Sequence, residues 1–331
     1  MTDRRGRPLR DLRISITDRC NLRCRYCMPR EHFGAAHSYI DRADLLTFEE
    51  ITRLATQFVS LGVRKIRLTG GEPLLRRGVE DLVRMLARLP GVDLAMTTNG
   101  VLLPSMAERL AAAGLRRVTV SLDSLDDAVF RALADTAVPV RRVLDGIDAA
   151  ARAGLTPVKV NMVVKRGVND DSVLGMVERF RGTGHIVRFI EFMDVGATNE
   201  WRLGEVLPAG EIVRVIDDRY PLEPLGATHP GEVATRYRFR DGSGEIGVIG
   251  SVTRPFCGTC TRARLSAEGK VHTCLFSSGG TDLRALLRSG ASDVDLRSAV
   301  AGLWRARDDR YSDLRGTLPR SEPVEMSYIG G

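Results

Sequence analysis

From Leu12 to about Asp194 the chain repeats one unit: a short strand of alternating character, a loop, then an amphipathic helical stretch. The pattern predicts strands at Leu12–Thr17, Arg64–Thr69, Asp93–Thr98, Arg117–Leu122, Pro157–Val164 and Ile186–Met193. Between them it predicts helices at Phe48–Leu61, Val79–Leu89, Ser105–Ala113, Val140–Ala153 and Ser172–Phe180. Strands that alternate with helices run parallel, because each helix returns the chain across the sheet. Alternation within the strands narrows the fold further. Leu12, Ile14 and Ile16 alternate with Arg13, Ser15 and Thr17, and Ile66 and Leu68 with Lys65, Arg67 and Thr69. Val118, Val120 and Leu122 alternate with Thr119, Ser121 and Asp123, and Val158, Val160 and Met162 with Lys159 and Asn161. Successive strand side chains point to opposite faces. One face therefore packs on the helices, and the other, polar and cationic, looks into a cavity. An antiparallel sheet wetted on one side would alternate too, but without the helices. The expected fold is α/β: a partial (β/α)6 barrel of TIM type over residues 9–195.

The rhythm fails after Asp194. Residues 196–331 are expected to form a C-terminal α+β extension that closes the barrel mouth. Gly196–Gly231 reads as irregular, Tyr237–Phe239 and Glu245–Ile249 as short strands, and Asp282–Arg305 as helical, before a polar tail ending in Gly330-Gly331. No run of eighteen apolar residues is present, and the basic Met1–Arg13 segment has no apolar stretch behind it. A membrane span and a secretory signal are therefore not expected, and the location is expected to be cytoplasmic. The net charge of +7 suits a polyanionic partner, while aromatics at 5% offer no stacking platform for nucleic acid.

All six cysteines fall in two triplets, Cys20/Cys24/Cys27 and Cys257/Cys260/Cys274. Disulfides are disfavoured in the cytosol, which leaves metal binding. In the first triplet three and then two residues separate the sulfurs. Such a loop can place three thiolates on three corners of a four-iron cube and leave one iron open for a small ligand. The alternative is a zinc site completed by His32 or His37. The second triplet has two and then thirteen intervening residues, and its zinc-ribbon alternative would recruit His272. Directly after Cys260 come Arg262 and Arg264, which share a face if the segment is extended. With Arg13, Arg67 and Lys159 they would form a pocket for several phosphates, since the planar guanidinium fork suits phosphate oxygens. Singly, each would be a solvated surface charge.

The first triplet after the first strand, Tyr26 inside it, and Gly70-Gly71-Glu72-Pro73 after the second strand together resemble the radical S-adenosylmethionine (SAM) superfamily. The Phe256–Phe276 segment around the second triplet, the Leu12–Pro29 segment around the first, and the terminal Gly330-Gly331 resemble the GTP 3′,8-cyclase family within it. Thr261, where Asn is expected, and Asp135–Val140 depart from that pattern. The resemblance implies two 4Fe-4S clusters, one on Cys20, Cys24 and Cys27 to cleave SAM and one on Cys257, Cys260 and Cys274 facing the guanine. It implies that Tyr26, Gly71, Ser121 and Met193 surround SAM. Arg13, Arg67, Thr98, Lys159, Arg262, Ala263 and Arg264 would hold GTP, with Arg262 and Arg264 also counted as catalytic. The expected reaction converts GTP to (8S)-3′,8-cyclo-7,8-dihydroguanosine 5′-triphosphate, the first step of molybdenum cofactor biosynthesis. Implied partners are a one-electron donor of flavodoxin or ferredoxin type, a second copy in a homodimer, and the cyclic pyranopterin monophosphate synthase that takes the product. Two other readings use the same residues: a peptide-modifying radical SAM enzyme with auxiliary clusters, and a zinc-stabilised basic protein that binds nucleic acid.

Overall fold

The structure, a computed structural model, describes residues 1–317 and 322–331. Residues 318–321 of the expected C-terminal unit lie outside the described residues. The repeating units form as the pattern requires. They run β1 (Asp11–Ser15), α1 (Phe48–Ser60), β2 (Lys65–Thr69), α2 (Val79–Ala87), β3 (Asp93–Thr98), α3 (Leu103–Ala112) and β4 (Arg117–Ser121). After these come α4 (Asp127–Ala134), α5 (Val140–Arg152), β5 (Lys159–Val164), α6 (Ser172–Phe180) and β6 (Ile186–Glu191). Helix α1 starts at Thr47, whose hydroxyl accepts the Glu50 N–H at 3.1 Å while the Glu50 carboxylate accepts the Thr47 N–H at 2.8 Å. This reciprocal cap satisfies two donors that the first turn would otherwise orphan. Helix α4 was not expected. Asp126 caps it by accepting the Val129 N–H at 2.9 Å, and its eight residues are too few to show a clear period.

Beyond β6 the chain adds α7 (Ala209–Arg219), β7 (Leu222–Leu225), β8 (Thr235–Phe239), β9 (Glu245–Ile249), β10 (Arg262–Leu265), β11 (Lys270–His272) and β12 (Thr281–Asp282). It then adds α8 (Leu283–Arg288), α9 (Asp293–Ala306) and α10 (Met326–Ile329). Two of these correct the reading of Gly196–Gly231 as irregular. Helix α7 follows Pro208 and buries Ile212 and Ile216, one turn apart. Strand β7 is an edge strand, where Pro224 removes no essential ladder bond.

Among the described residues the twelve strands belong to one sheet, in the order β12-β11-β10-β1-β2-β3-β4-β5-β6-β9-β8-β7. The six expected parallel strands are extended by β10, parallel to β1, and by β9, parallel to β6. No ladder joins β12 to β7 among the described residues, so the barrel is partial and not closed by hydrogen bonds. The C-terminal segment thus lengthens both edges of the barrel sheet. Leu12, Ile66, Met96, Val120, Val160, Phe189, Val248 and Ala263 turn outward into the helix-covered core. Their alternates turn inward. Among the described residues no helix is long and apolar enough to cross a membrane.

Candidate active site

Parallel strands gather their C-terminal loops at one end of the barrel, and Cys20, Cys24 and Cys27 lie there, whereas Cys257 and Cys260 precede β10 at the start of β1 and so lie toward the opposite end. All six cysteines are free, and all line one cavity that runs between these ends. Cys20, Cys24 and Cys27 reach it from the loop after β1, and Cys257, Cys260 and Cys274 from the segments flanking β10 and β11. Burial pushes the Cys20 thiol up to about 11, with Glu72 adding to the effect. Burial also raises Cys24, and its neighbours Cys20 and Cys27 raise it further, so the three sulfurs oppose one another as anions. Three converging thiolates therefore call for a cationic group between them. Burial and the other two sulfurs likewise hold Cys274 up at about 11. At Cys260 burial opposes ionisation, but Arg262 and Arg307 outweigh it and bring the thiol down to about 6. The Arg262 Nη2 donates to the Cys260 sulfur at 3.3 Å.

The histidines that a zinc reading needs lie elsewhere. His32, His37 and His272 line a neighbouring cleft and not the cysteine cavity. His272 meets Ser277 Oγ through Nδ1 at 3.0 Å, and burial lowers its imidazole to about 4. Among the described residues no three His, Cys, Asp or Glu side chains close on a single metal ion. The donor set fits a larger group held by sulfur alone.

The Gly70–Pro73 element is shaped by close approach. A Cβ on Gly71 would overlap the Arg19 carbonyl, so only glycine lets this turn lie on the cysteine loop. Glu72 is locked in place, accepting from Leu74 N at 3.0 Å, Thr98 Oγ1 at 2.8 Å and Asn99 N at 2.7 Å. Burial raises its carboxyl to about 7. Tyr26 donates from its hydroxyl to Asp123 at 2.7 Å, and Asp123 also accepts the Val163 N–H at 2.8 Å. Ser121 and Met193 line the same cavity beside them.

The cations form a layer beneath the first triplet, on the side toward the second. Register pairs Arg264 with Arg13 and Arg13 with Arg67, so three guanidiniums lie in one row across β10, β1 and β2. Burial lowers Arg13 most, and the charges of Arg264 and Arg262 add to it. Arg67 falls to about 10 through burial and Arg188, and it donates to Thr97 at 2.8 Å and Thr119 at 3.0 Å. Arg262 Nε is buried with no hydrogen-bond partner among the described residues, as is Asn161 Oδ1, and both residues line the cavity.

Three expected site residues stand differently from the rest. Lys159 does not line the cavity but sits in the layer below, where burial and Arg188 lower its amine to about 7. Ala263 turns its side chain into the core, opposite Leu12 in register, and could offer a ligand only its backbone. Thr98 lines the cavity, with its hydroxyl donated to Glu72. Arg117 and Arg188 were missed, and Lys65 was placed on the inward face but not named for the site. Lys65 and Arg117 belong to the same layer as Lys159, whereas Arg188 lines the cavity itself, and its signal was present in the alternation of Arg188 with Val187 and Phe189. The terminal Gly330-Gly331 enters the cavity: Gly331 lines it, and the Gly330 carbonyl accepts from Arg264.

Residues 14–180 match the family model described as the radical SAM superfamily, and residues 185–313 match one described as Molybdenum Cofactor Synthesis C. The chain is 55% identical to a GTP 3′,8-cyclase of Acidothermus cellulolyticus, over 99% of this chain and 98% of that one. It is 49% identical to a GTP 3′,8-cyclase of Xanthomonas axonopodis, over 100% and 99%, and 46% identical to one of Staphylococcus saprophyticus, over 100% and 99%. Among solved structures, Streptococcus suis SuiB bound to S-adenosylmethionine aligns with a TM-score of 0.64 at 17% identity, over 97% of this chain and 73% of that one. That likeness supports the fold alone. With both halves matched and relatives this similar along the whole chain, the protein belongs to the GTP 3′,8-cyclase family of the radical SAM superfamily.

Proposed function

We infer that the protein cyclises GTP to (8S)-3′,8-cyclo-7,8-dihydroguanosine 5′-triphosphate, with SAM and two 4Fe-4S clusters as cofactors. The observation that carries this reading is one cavity with a cysteine triplet toward either end and under-compensated cations between them. Cys20, Cys24 and Cys27 would hold the first cluster, which would supply the electron for SAM cleavage and so the means of hydrogen abstraction at the ribose C3′. Cys257, Cys260 and Cys274 would hold the second, next to the purine.

The chain's own groups do the rest. Glu72, fixed on three donors, is placed to receive an amino group at the mouth of β2. Tyr26 is held against Asp123, so its ring forms one wall for SAM. Arg13, Arg67, Arg188, Arg262 and Arg264 on the cavity wall, with Lys65 and Lys159 below, supply positive charge in a buried setting where it is costly without an anion. A triphosphate offsets that cost with charge-assisted hydrogen bonds. The inserted Gly330-Gly331 narrows the opening and limits water around the reacting atoms. In this reading the barrel unit, 9–195, holds SAM, and the extension, 196–331, brings the second cluster and the tail. An external one-electron donor of flavodoxin or ferredoxin type is needed, and the product passes to the cyclic pyranopterin monophosphate synthase.

The test is anaerobic reconstitution with iron and sulfide, followed by SAM, GTP and dithionite. The reading predicts reductant-dependent SAM cleavage coupled to loss of GTP and appearance of the cyclic triphosphate. Absence of SAM cleavage defeats it, and SAM cleavage with GTP untouched defeats the substrate assignment alone.

A further inference from the structure

Before β1 the chain folds back on itself, with Thr2 bridged to Pro8. The turn buries two charged side chains, Asp3 and Arg7, against Arg307 from the end of α9; their side chains are 0%, 2% and 1% exposed. Asp3 Oδ2 accepts from Arg7 Nε at 2.6 Å and from Arg307 Nη1 at 3.0 Å, so one carboxylate fixes both guanidinium forks. The remaining donors have a pattern. Arg7 Nη1 donates to the carbonyl of Cys257 at 2.8 Å. Arg307 Nη1 donates to the carbonyl of Cys260 at 2.9 Å, and its Nε to the carbonyl of Thr273, just before Cys274, at 3.0 Å. Each segment that carries a cysteine of the second triplet is thus tied to the same buried ion group. Trp304 seats the assembly, its indole donating to the Arg7 carbonyl at 3.0 Å with Arg307 over its ring at 4.6 Å.

We propose that Asp3, Arg7 and Arg307 are positioning residues that hold Cys257, Cys260 and Cys274 at the spacing the second cluster needs. The proposal rests on the second-cluster reading above. Its physical basis is the planar fork. Two fixed donors on one guanidinium set the distance between two loops, which a point-charge ammonium cannot do. Removing Asp3 leaves two buried guanidiniums with only carbonyls and Asp309 to answer them, and the forks lose their common anchor. Ligands outside the metal's own coordination shell commonly tune occupancy and potential in this way.

The experiment compares full-length wild type, Asp3→Asn, Arg307→Lys and a triple Cys257/Cys260/Cys274→Ala reference after identical anaerobic reconstitution. Iron, acid-labile sulfide, the EPR spectrum of the reduced protein and GTP-free SAM cleavage are all recorded. Two four-iron clusters correspond to about eight iron per chain, one to about four. Asp3→Asn and Arg307→Lys are expected to fall from about eight toward about four iron. They should lose the EPR component missing from the triple reference yet keep SAM cleavage within about twofold of wild type. Arg307→Lys decides the matter if Asp3→Asn does not fold. Retention of both clusters with an unchanged second spectrum overturns the proposal. So does loss of both clusters together in either folded variant, which would assign these residues to the general fold. A wild type with no more iron than the triple reference overturns both the proposal and the reading beneath it.

Discussion

Arg13→Gln should weaken GTP and, in the same protein without nucleotide, raise thermal stability. Arg13 lies between Arg264 and Arg67 in a register that places the three on adjacent strands. Neighbouring strands are about 4.8 Å apart, and two like charges about 5 Å apart at an effective dielectric of about 20 repel by about 3 kcal/mol. Long side chains diverge from their backbones, and Asp11 offsets part of the charge. The net relief on removing one guanidinium is then on the order of 1 kcal/mol, or roughly 1–2 °C in Tm for a chain of 331 residues. The direction agrees with the lowered Arg13 pKa, whose first cause is burial. A group whose charged form is disfavoured in the fold destabilises it wherever that form persists. With GTP the sign reverses. A charge-assisted hydrogen bond contributes about 1.5–3 kcal/mol, so KM for GTP should rise roughly 10- to 100-fold. The assay pairs scanning calorimetry of the reconstituted enzyme, with and without GTP, with initial rates at saturating SAM. A nucleotide-free Tm that falls while KM stays within about twofold of wild type would refute the idea of a strained cation row awaiting an anion.

Three further outcomes follow from the same geometry. The Cys20/Cys24/Cys27→Ala variant should lose reductant-dependent SAM cleavage, whereas Cys257/Cys260/Cys274→Ala should cleave SAM and leave GTP unchanged, as chromatography of 5′-deoxyadenosine and nucleotide will show. Lys159, held at about 7 by burial and Arg188, must take up a proton when phosphate binds, so KM for GTP should rise as pH goes from about 6.5 to 8.5. Because its folded value lies below the unfolded one, the nucleotide-free fold gains stability between about 7 and 10 as pH rises, and Lys159→Gln should flatten that slope in calorimetry. Gly330→Ala should lower the GTP-coupled rate at least tenfold with iron content unchanged, because a Cβ there overlaps Thr69 and the residue has φ of 79°; wild-type turnover in that variant would show that the tail need not stay in the cavity.

Much of this protein was open to reading before any coordinates. Period-two alternation beside period-3.6 helices specified parallel strands, outward Leu12 and Ile66, and inward Arg13 and Arg67, because faces on a strand follow from covalent geometry alone. The cysteine spacings specified two three-sulfur sets for a related reason: short loops confine their own ends. Helix α7 and strand β7 escaped because prolines and glycines obscure a short period, and Arg188 escaped because one polar residue among apolar neighbours resembles a surface strand.

What separates the two kinds of knowledge is sequence distance. Local pattern determined which residues could face a cavity and which sulfurs could share a metal group. Only the tertiary structure decided that β10 joins the barrel edge next to β1, placing Arg264 in line with Arg13 some 250 residues earlier in the chain. It also decided that the Gly330 carbonyl meets Arg264, that Lys159 lies below the cavity, and that Arg7 and Arg307, anchored on Asp3, reach the loops of the second triplet. Strand pairing between remote segments is chosen by the packing of the whole core and by loop closure, and neither leaves a periodic trace in the residues that finally touch.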